Sequence, residues 1–158
     1  MILDERTEFA DATSVAAAAG TALIGDVIDL TVARDIGDGQ PVYWVVTTDT
    51  EIITAGAAGT LRFQLVSDAQ AAIAVDGSAT VHIDTGDFVT DDAAANEAKF
   101  NAGGIIFCGA LPLEGHVYER YLGVLAVTAT TTTTAGKINS FLTLDPARTL
   151  KTYADAVN

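Results

Sequence analysis

Two histidines, one cysteine and several Asp-rich turns are the residues of this chain whose types suit a reactive site. A nucleophilic triad needs a His within hydrogen-bond reach of a Ser or Cys, and only His82 and His116 are available. His82 lies in "ATVHID" at 79–84, where Val81 and Ile83 alternate with His82 and Asp84, so the pattern turns His82 toward solvent. His116 lies in the turn-like "LEGHVYER", where Glu114 or Glu119 could orient it as a general base; the plainer reading is a surface loop. No H-x-x-x-H or Cys/His spacing sets up zinc. Cys108 sits in "GGIIFCGA" with no adjacent Lys, Arg or His to lower its pKa, and reads as a small buried hydrophobe.

Carboxylates are plentiful instead. Calcium takes carboxylate and carbonyl oxygens, and "DIGDGQ" (Asp35, Asp38) and "DTGDFVTDD" (Asp84, Asp87, Asp91, Asp92) are the places to look. Neither has the alternating carboxylates of an EF-hand loop, and Asp-Gly pairs are ordinary turn chemistry. "GDG" and "NAGG" lack the strand–loop–helix setting of a phosphate cradle. Paired carboxylates for glycosidic chemistry carry no information among 21 acids. No catalytic residue, cofactor ligand or metal ligand is assigned.

The elements that would hold such groups are read from periodicity. The dominant period is two: in "TLRFQLV", Leu61, Phe63 and Leu65 face one way and Arg62 and Gln64 the other. "PVYWVVTTD" at 41–49 is β-branched and aromatic on both faces, which suits a central strand, and Pro41 fits a strand's first position. Further strands are expected at 26–32, 104–109, 120–129 and 137–145, separated by Gly/Asp/Asn turns such as "TAGAAG", "VDGS" and "NAGG". This spacing predicts an all-β sandwich or barrel. Only "TEFADATSVAAAAG" at 7–20 and "TDDAAANEAKF" at 90–100 could be helical, and at most one short helix, the second, is expected.

Between two apolar runs, residues 130–134 are five consecutive threonines. Thr is a good strand former, so both flanking strands are expected to continue into the tract, with the turn near Ala135–Gly136. The product is either a projecting, uncharged β-arm suited to protein contact or a solvated loop.

The 158 residues predict one domain, 1–158, with short arms at about 1–12 and 146–158. Eight Lys and Arg, scattered singly among 21 acids, give a net charge of −13. That excludes nucleic acid as the main ligand, and an anionic membrane surface, since both need clustered cations. Charges in "MILDERTEFAD" leave no apolar signal stretch, and "VAAAAGTALIG" is too short to span a bilayer, so a soluble, intracellularly made protein is expected.

One segment goes beyond composition. "DVIDLTVARDIGDGQPVYWVV" at 26–46 joins an Ile-Asp-Leu strand, the turn Arg34-Asp35-Ile36-Gly37 and a Gly39-x-Pro41 lead into an aromatic-rich strand. With Met1–Asp4, Phe9–Ala12, Leu111–Leu113, Glu119–Leu122, Gly136 and Leu142–Asp145 in order, the chain resembles the capsid cement (decoration) proteins of certain tailed bacteriophages. The 86–102 segment falls outside that resemblance. The resemblance implies a jelly-roll-like antiparallel β-sandwich that self-associates, with a dimer favoured over a trimer. It would sit on the outer capsid surface of the virion, across joints between major capsid protein subunits, after synthesis in the host cytoplasm.

Within that picture Gly37 and Gly39 set the turn before the central strand, and Arg34 beside Asp35 fixes the turn locally. Trp44, Phe63 and Tyr121 are expected as core or interface anchors. Ile2, Leu3, Phe9, Leu150 and Tyr153 give the arms more apolar side chains than frayed ends need; they pack on a neighbouring subunit or on their own domain. Two rival readings remain. One is a carbohydrate- or receptor-binding β-sandwich domain of a phage appendage, using Tyr118, Tyr121 and acidic turns. The other is a jelly-roll hydrolase working with carboxylates alone.

Overall fold

Nested antiparallel pairing organises the chain. The computed structural model describes residues 5–36, 39–56, 58–90, 97–112 and 117–146. A 3-10 turn, Glu5–Thr7, leads into strands β1 (Glu8–Ser14), β2 (Gly20–Asp29), β3 (Tyr43–Thr54), β4 (Thr60–Asp68), β5 (Thr80–Asp84) and β6 (Phe88–Val89). A helical turn, α1 (Glu97–Phe100), precedes β7 (Ile105–Ala110), β8 (Tyr121–Ala129) and β9 (Thr133–Thr143). β1 pairs β9, β2 pairs β8, β3 pairs β7 and β4 pairs β5, every pair antiparallel. Successive pairs alternate between a sheet ordered β1-β9-β3-β7 and one ordered β2-β8-β4-β5, with β6 beside β4. A long two-stranded ribbon rolled over itself has this pattern, the jelly roll of two face-packed sheets.

The inner faces make one core. Trp44, Val46, Ile138 and Leu142 from the first sheet meet Leu61, Phe63, Leu65, Leu122 and Val124 from the second. The alternation expected for β4 is present: Leu61, Phe63 and Leu65 are fully buried, while Arg62 and Gln64 are half-buried on the outer face. Trp44 and Phe63 are core anchors; Tyr121 is only partly covered, with the Arg120 guanidinium over its ring at 4.8 Å.

The Ala-rich segment 7–20, the weaker of the two helix candidates, holds β1 and the corner into β2 and forms no α-helix. Small side chains suit a strand that passes close to another, and Phe9 and Ala10 are buried. Residues 8–12 therefore belong to the sheet and are not an arm, and Phe9 packs in its own domain's core. The second strand runs 20–29 instead of 26–32.

The threonine tract forms no projecting hairpin. β8 and β9 lie in different sheets, so 130–132 is the crossing between them, with Thr130 at φ 71°. The turn thus falls before Ala135–Gly136. At the same corner the β1–β2 link crosses too: Ala17 N–H donates to Thr133 O at 3.0 Å, and Thr133 N–H to Ala17 O at 2.9 Å. The β3–β4 link joins them, with Ala55 N–H donating to Thr132 O at 2.9 Å. Three crossings share one end of the sandwich, and Thr133 is 1% exposed. Compact branched side chains fit that crowding.

Of the expected helix at 90–100, Glu97–Phe100 is helical; 91–96 lie outside the described residues. So do Ile2, Leu3, Gly37, Asp38, Leu113, Glu114, His116, Leu150 and Tyr153. Among the described residues, no helix is long and apolar enough to cross a membrane.

Candidate functional site: an open groove and a buried serine beside His82

β5 departs from strict alternation, and that departure brings two candidate residues together. Leu65 pairs with Ile83 but Val66 pairs with Val81, so His82 is the extra residue of a bulge. The bulge turns Val81 out, 43% exposed, and brings His82 to the inner side. His82 Nε2 lies 2.7 Å from Ser67 Oγ, and its ring stacks on Tyr118 at 4.0 Å. The expected solvent-facing His82 is thus corrected.

A Ser hydroxyl against an imidazole is half of a nucleophilic device. Here the hydroxyl also accepts the backbone N–H of Glu119 at 3.1 Å, while Thr80 Oγ1 donates to Glu119 Oε1 at 2.9 Å. Ser67 and Tyr118 are each 0% exposed. An acyl or phosphoryl group has no approach to Ser67 Oγ in this arrangement. Tyr118 donates its phenol to Pro112 O at 3.1 Å, and burial, helped by the Asp35 carboxylate, pushes its pKa up to about 12. Tyr118, which the carbohydrate reading would need at the surface, is a core aromatic.

Cys108 is exposed, against the expected burial. Val46 pairs with Phe107 but Thr47 pairs with Ile105, a second bulge, at Ile106. Phe107 then packs against Trp44, ring centroids 5.1 Å apart, and Cys108 takes the outer face beside Val45 on an edge strand. Arg34 does not pair with Asp35: its Nη2 donates to Thr31 Oγ1 at 3.0 Å, and its backbone N–H to Tyr118 O at 3.0 Å.

The acidic turn at 84–87 is tied up internally. Asp84 accepts Gln64 Nε2 at 2.7 Å and Gly86 N–H at 2.8 Å, and Arg62 stands 3.7 Å from both Asp84 and Asp87. Asp91 and Asp92 lie outside the described residues. Among the described residues, no three potential ligands converge on a metal position.

What sequence reasoning missed is a groove on the outer face of the second sheet. Segment 69–79 folds onto that face: Asp68 accepts Gln70 N–H and Ala74 N–H at 3.0 Å each, and Ile73 fills the space a side chain at Gly123 would need. Val66, Ile73, Ala79 and Leu125 make a small outer core beneath it. The segment covers only part of the sheet. Where it stops, Val75, Asp76, Gly77 and Ala79 wall a groove of about 370 Å³ floored by Thr21, Arg62, Gln64, Val81, Leu125 and Val127. The floor follows from register: Thr21 pairs with Val127 and Val127 with Arg62, so these side chains line up on one face. Val75 and Val81 are 45% and 43% exposed, and Arg62 Nε is buried without an acceptor among the described residues. Ser78 donates its hydroxyl and N–H to Asp76, which lowers that carboxyl's pKa and keeps the rim negative. The alternation in "TLRFQLV" marked Arg62 and Gln64 as outward-facing, but no local signal tells that segment 69–79 leaves them uncovered.

Comparison with known families gives one finding: a family model described as Bbp16 matches residues 9–142, from the second residue of β1 to the penultimate residue of β9. No curated protein matches the chain.

Proposed function

The chain belongs to the Bbp16 family, and we propose that it is a structural virion protein: a capsid cement protein that binds the outer surface of a phage head across joints between major capsid subunits. The observation that carries this reading is the open groove with Val75 and Val81 at its mouth, on a chain whose Ser67 hydroxyl is buried beside a partly covered His82. Exposed apolar side chains framed by polar ones suit contact with another protein. The jelly roll and the ordered set of motifs from Arg34–Pro41 to Glu119–Leu122 support it as resemblance.

Such a protein needs no reactive group. A ligand that binds the assembled shell and not its separated subunits stabilises the shell by mass action. Many copies on a symmetric lattice multiply modest affinities. The negative charge is compatible with an exterior position, away from packaged DNA. The carbohydrate reading loses Tyr118, which is in the core, and Tyr121 is shared with Arg120.

Purified protein added to undecorated phage heads tests the proposal. Saturable binding with raised heat resistance of the heads is the expected result. Glycan binding without head binding would put the appendage reading in its place.

A further inference from the structure

We infer that the groove on the second sheet receives residues 148–153 of a second copy of this chain, with Leu150 among Val75, Val81 and Val127 and the flanking Arg148 and Lys151 beside the rim carboxylates. The inference rests on the proposed function, in which many copies stand on one lattice, and names a neighbouring copy as the protein that the groove contacts.

Charge is the first argument. The rim carries Asp76 on one wall, and Asp84 and Asp87 flank the floor residue Arg62. An apolar segment entering there is best flanked by cations. "ARTLKTY" at 147–153 is such a segment: Arg148 and Lys151 bracket Leu150, with Tyr153 beyond and no acid among them. No other two cations of the chain lie within ten residues of each other. In a protein of net charge −13, this stretch is the part of one copy that another copy's acidic rim attracts.

Geometry then selects a neighbour over the same molecule. β9 ends at Thr143, paired with Tyr43 in the first sheet. At that end Leu111 N–H donates to Val42 O and Tyr118 OH to Pro112 O, close to where β8 begins. The groove lies instead along the second half of β8, beside Leu125 and Val127, on the far face of the other sheet. That is about 13–20 Å along the strand and roughly 10 Å from sheet to sheet, before any detour around an edge. Seven fully stretched residues from Thr143 to Leu150 span at most about 25 Å. The chain's own groove therefore demands a taut path through the body, whereas a neighbour's groove imposes no such limit. A reciprocal exchange closes a two-fold dimer, and a one-way exchange continues from copy to copy.

Single-cysteine proteins test this directly. With Cys108→Ser in each, Val81→Cys is mixed with Leu150→Cys under mild oxidation, beside a control pairing Leu150→Cys with Val32→Cys. Val32 is 54% exposed and outside the groove. Covalent heterodimer should form about tenfold or more faster in the first mixture, because docking raises the effective concentration of the two thiols. Equal rates in the two mixtures, or no heterodimer, would overturn the inference. So would a chain carrying both Val81→Cys and Leu150→Cys that closes only on itself. Unchanged thermal unfolding of each variant establishes that the fold is intact. Undecorated heads run in parallel separate the two claims: head binding without cross-linking sinks the exchange alone, and cross-linking without head binding sinks the capsid reading alone.

Discussion

The indole N–H of Trp44 donates to the hydroxyl of Ser140 across 2.9 Å, and both residues are fully buried. The bond ties β3 to β9 inside the core, where neither group can turn to water. Ser140→Ala is expected to cost about 1–3 kcal/mol, the usual penalty for a buried donor left without an acceptor. Trp44→Ala should cost about 3–5 kcal/mol through lost packing and the cavity left behind. The double variant Trp44→Phe with Ser140→Ala should lose less than the sum of its singles, since neither partner is then stranded. Urea unfolding of the parent, Ser140→Ala, Trp44→Ala, Trp44→Phe and the double variant checks all three expectations.

Gly25 and Gly77 both sit at positive φ, 66° and 92°, yet only one is enclosed. A Cβ on Gly25 would overlap the backbone carbonyl of Phe9, where β1 crosses β2; at Gly77 it would meet open space. Gly77→Ala should therefore cost only the left-handed backbone, about 1–2 kcal/mol. Gly25→Ala adds a collision with backbone that cannot rotate away. It should exceed its counterpart by about 1 kcal/mol or more, within the range of special-conformation and core substitutions. Thermal unfolding of the two variants decides; equal losses would mean that β1 and β2 are not pressed together at Gly25.

Legibility in the sequence followed the length of an unbroken alternation. In β4 the stretch from Leu61 to Leu65 reads correctly, because its inner side chains are apolar without interruption. β5 and β7 each contain a bulge, and one extra residue inverts the facing beyond it; this misplaces His82, whereas the expected burial of Cys108 rests on its apolar neighbours and takes no account of facing. The threonine tract was misread because strand propensity is a local quantity. Whether two successive strands pair or cross between sheets is decided by the nested ribbon, which no window of ten residues contains. The groove was invisible for a related reason: it exists only where segment 69–79 stops short of Val127.

Asp29 and Arg120 form a two-bond ion pair on the surface, Nε and Nη2 each donating at 2.8 Å. That pair, with the Thr31 N–H at 2.7 Å, lowers the Asp29 pKa from its ordinary 3.8 to about 2. A depressed carboxyl pKa stabilises the fold above the unfolded value, and that contribution fades as pH falls through the folded one. Asp29→Asn should therefore lower Tm at neutral pH, with the difference from the parent shrinking between about pH 4 and pH 2 and gone below that. Both side chains are exposed, so added salt should also shrink it. A constant difference across the whole range would mean that the variant acts through something other than charge.

The Ser67–His82 pair makes the most direct challenge to a contact function, because its 2.7 Å geometry is what a serine nucleophile needs. Its burial argues the opposite use. Ser67 accepts the Glu119 N–H and so fixes the chain just before β8 to β4, and β5 joins through His82. A fluorophosphonate, which reacts with activated serine hydroxyls, should leave native Ser67 unlabelled. Ser67→Ala should lose about 1–3 kcal/mol of stability, as a buried amide is stranded, while leaving the binding of undecorated heads intact once the variant is folded. Labelling of Ser67 in the native protein, abolished by Ser67→Ala, would reveal an opening to the pair that this arrangement does not provide. It would also move the chain from adhesion to hydrolysis.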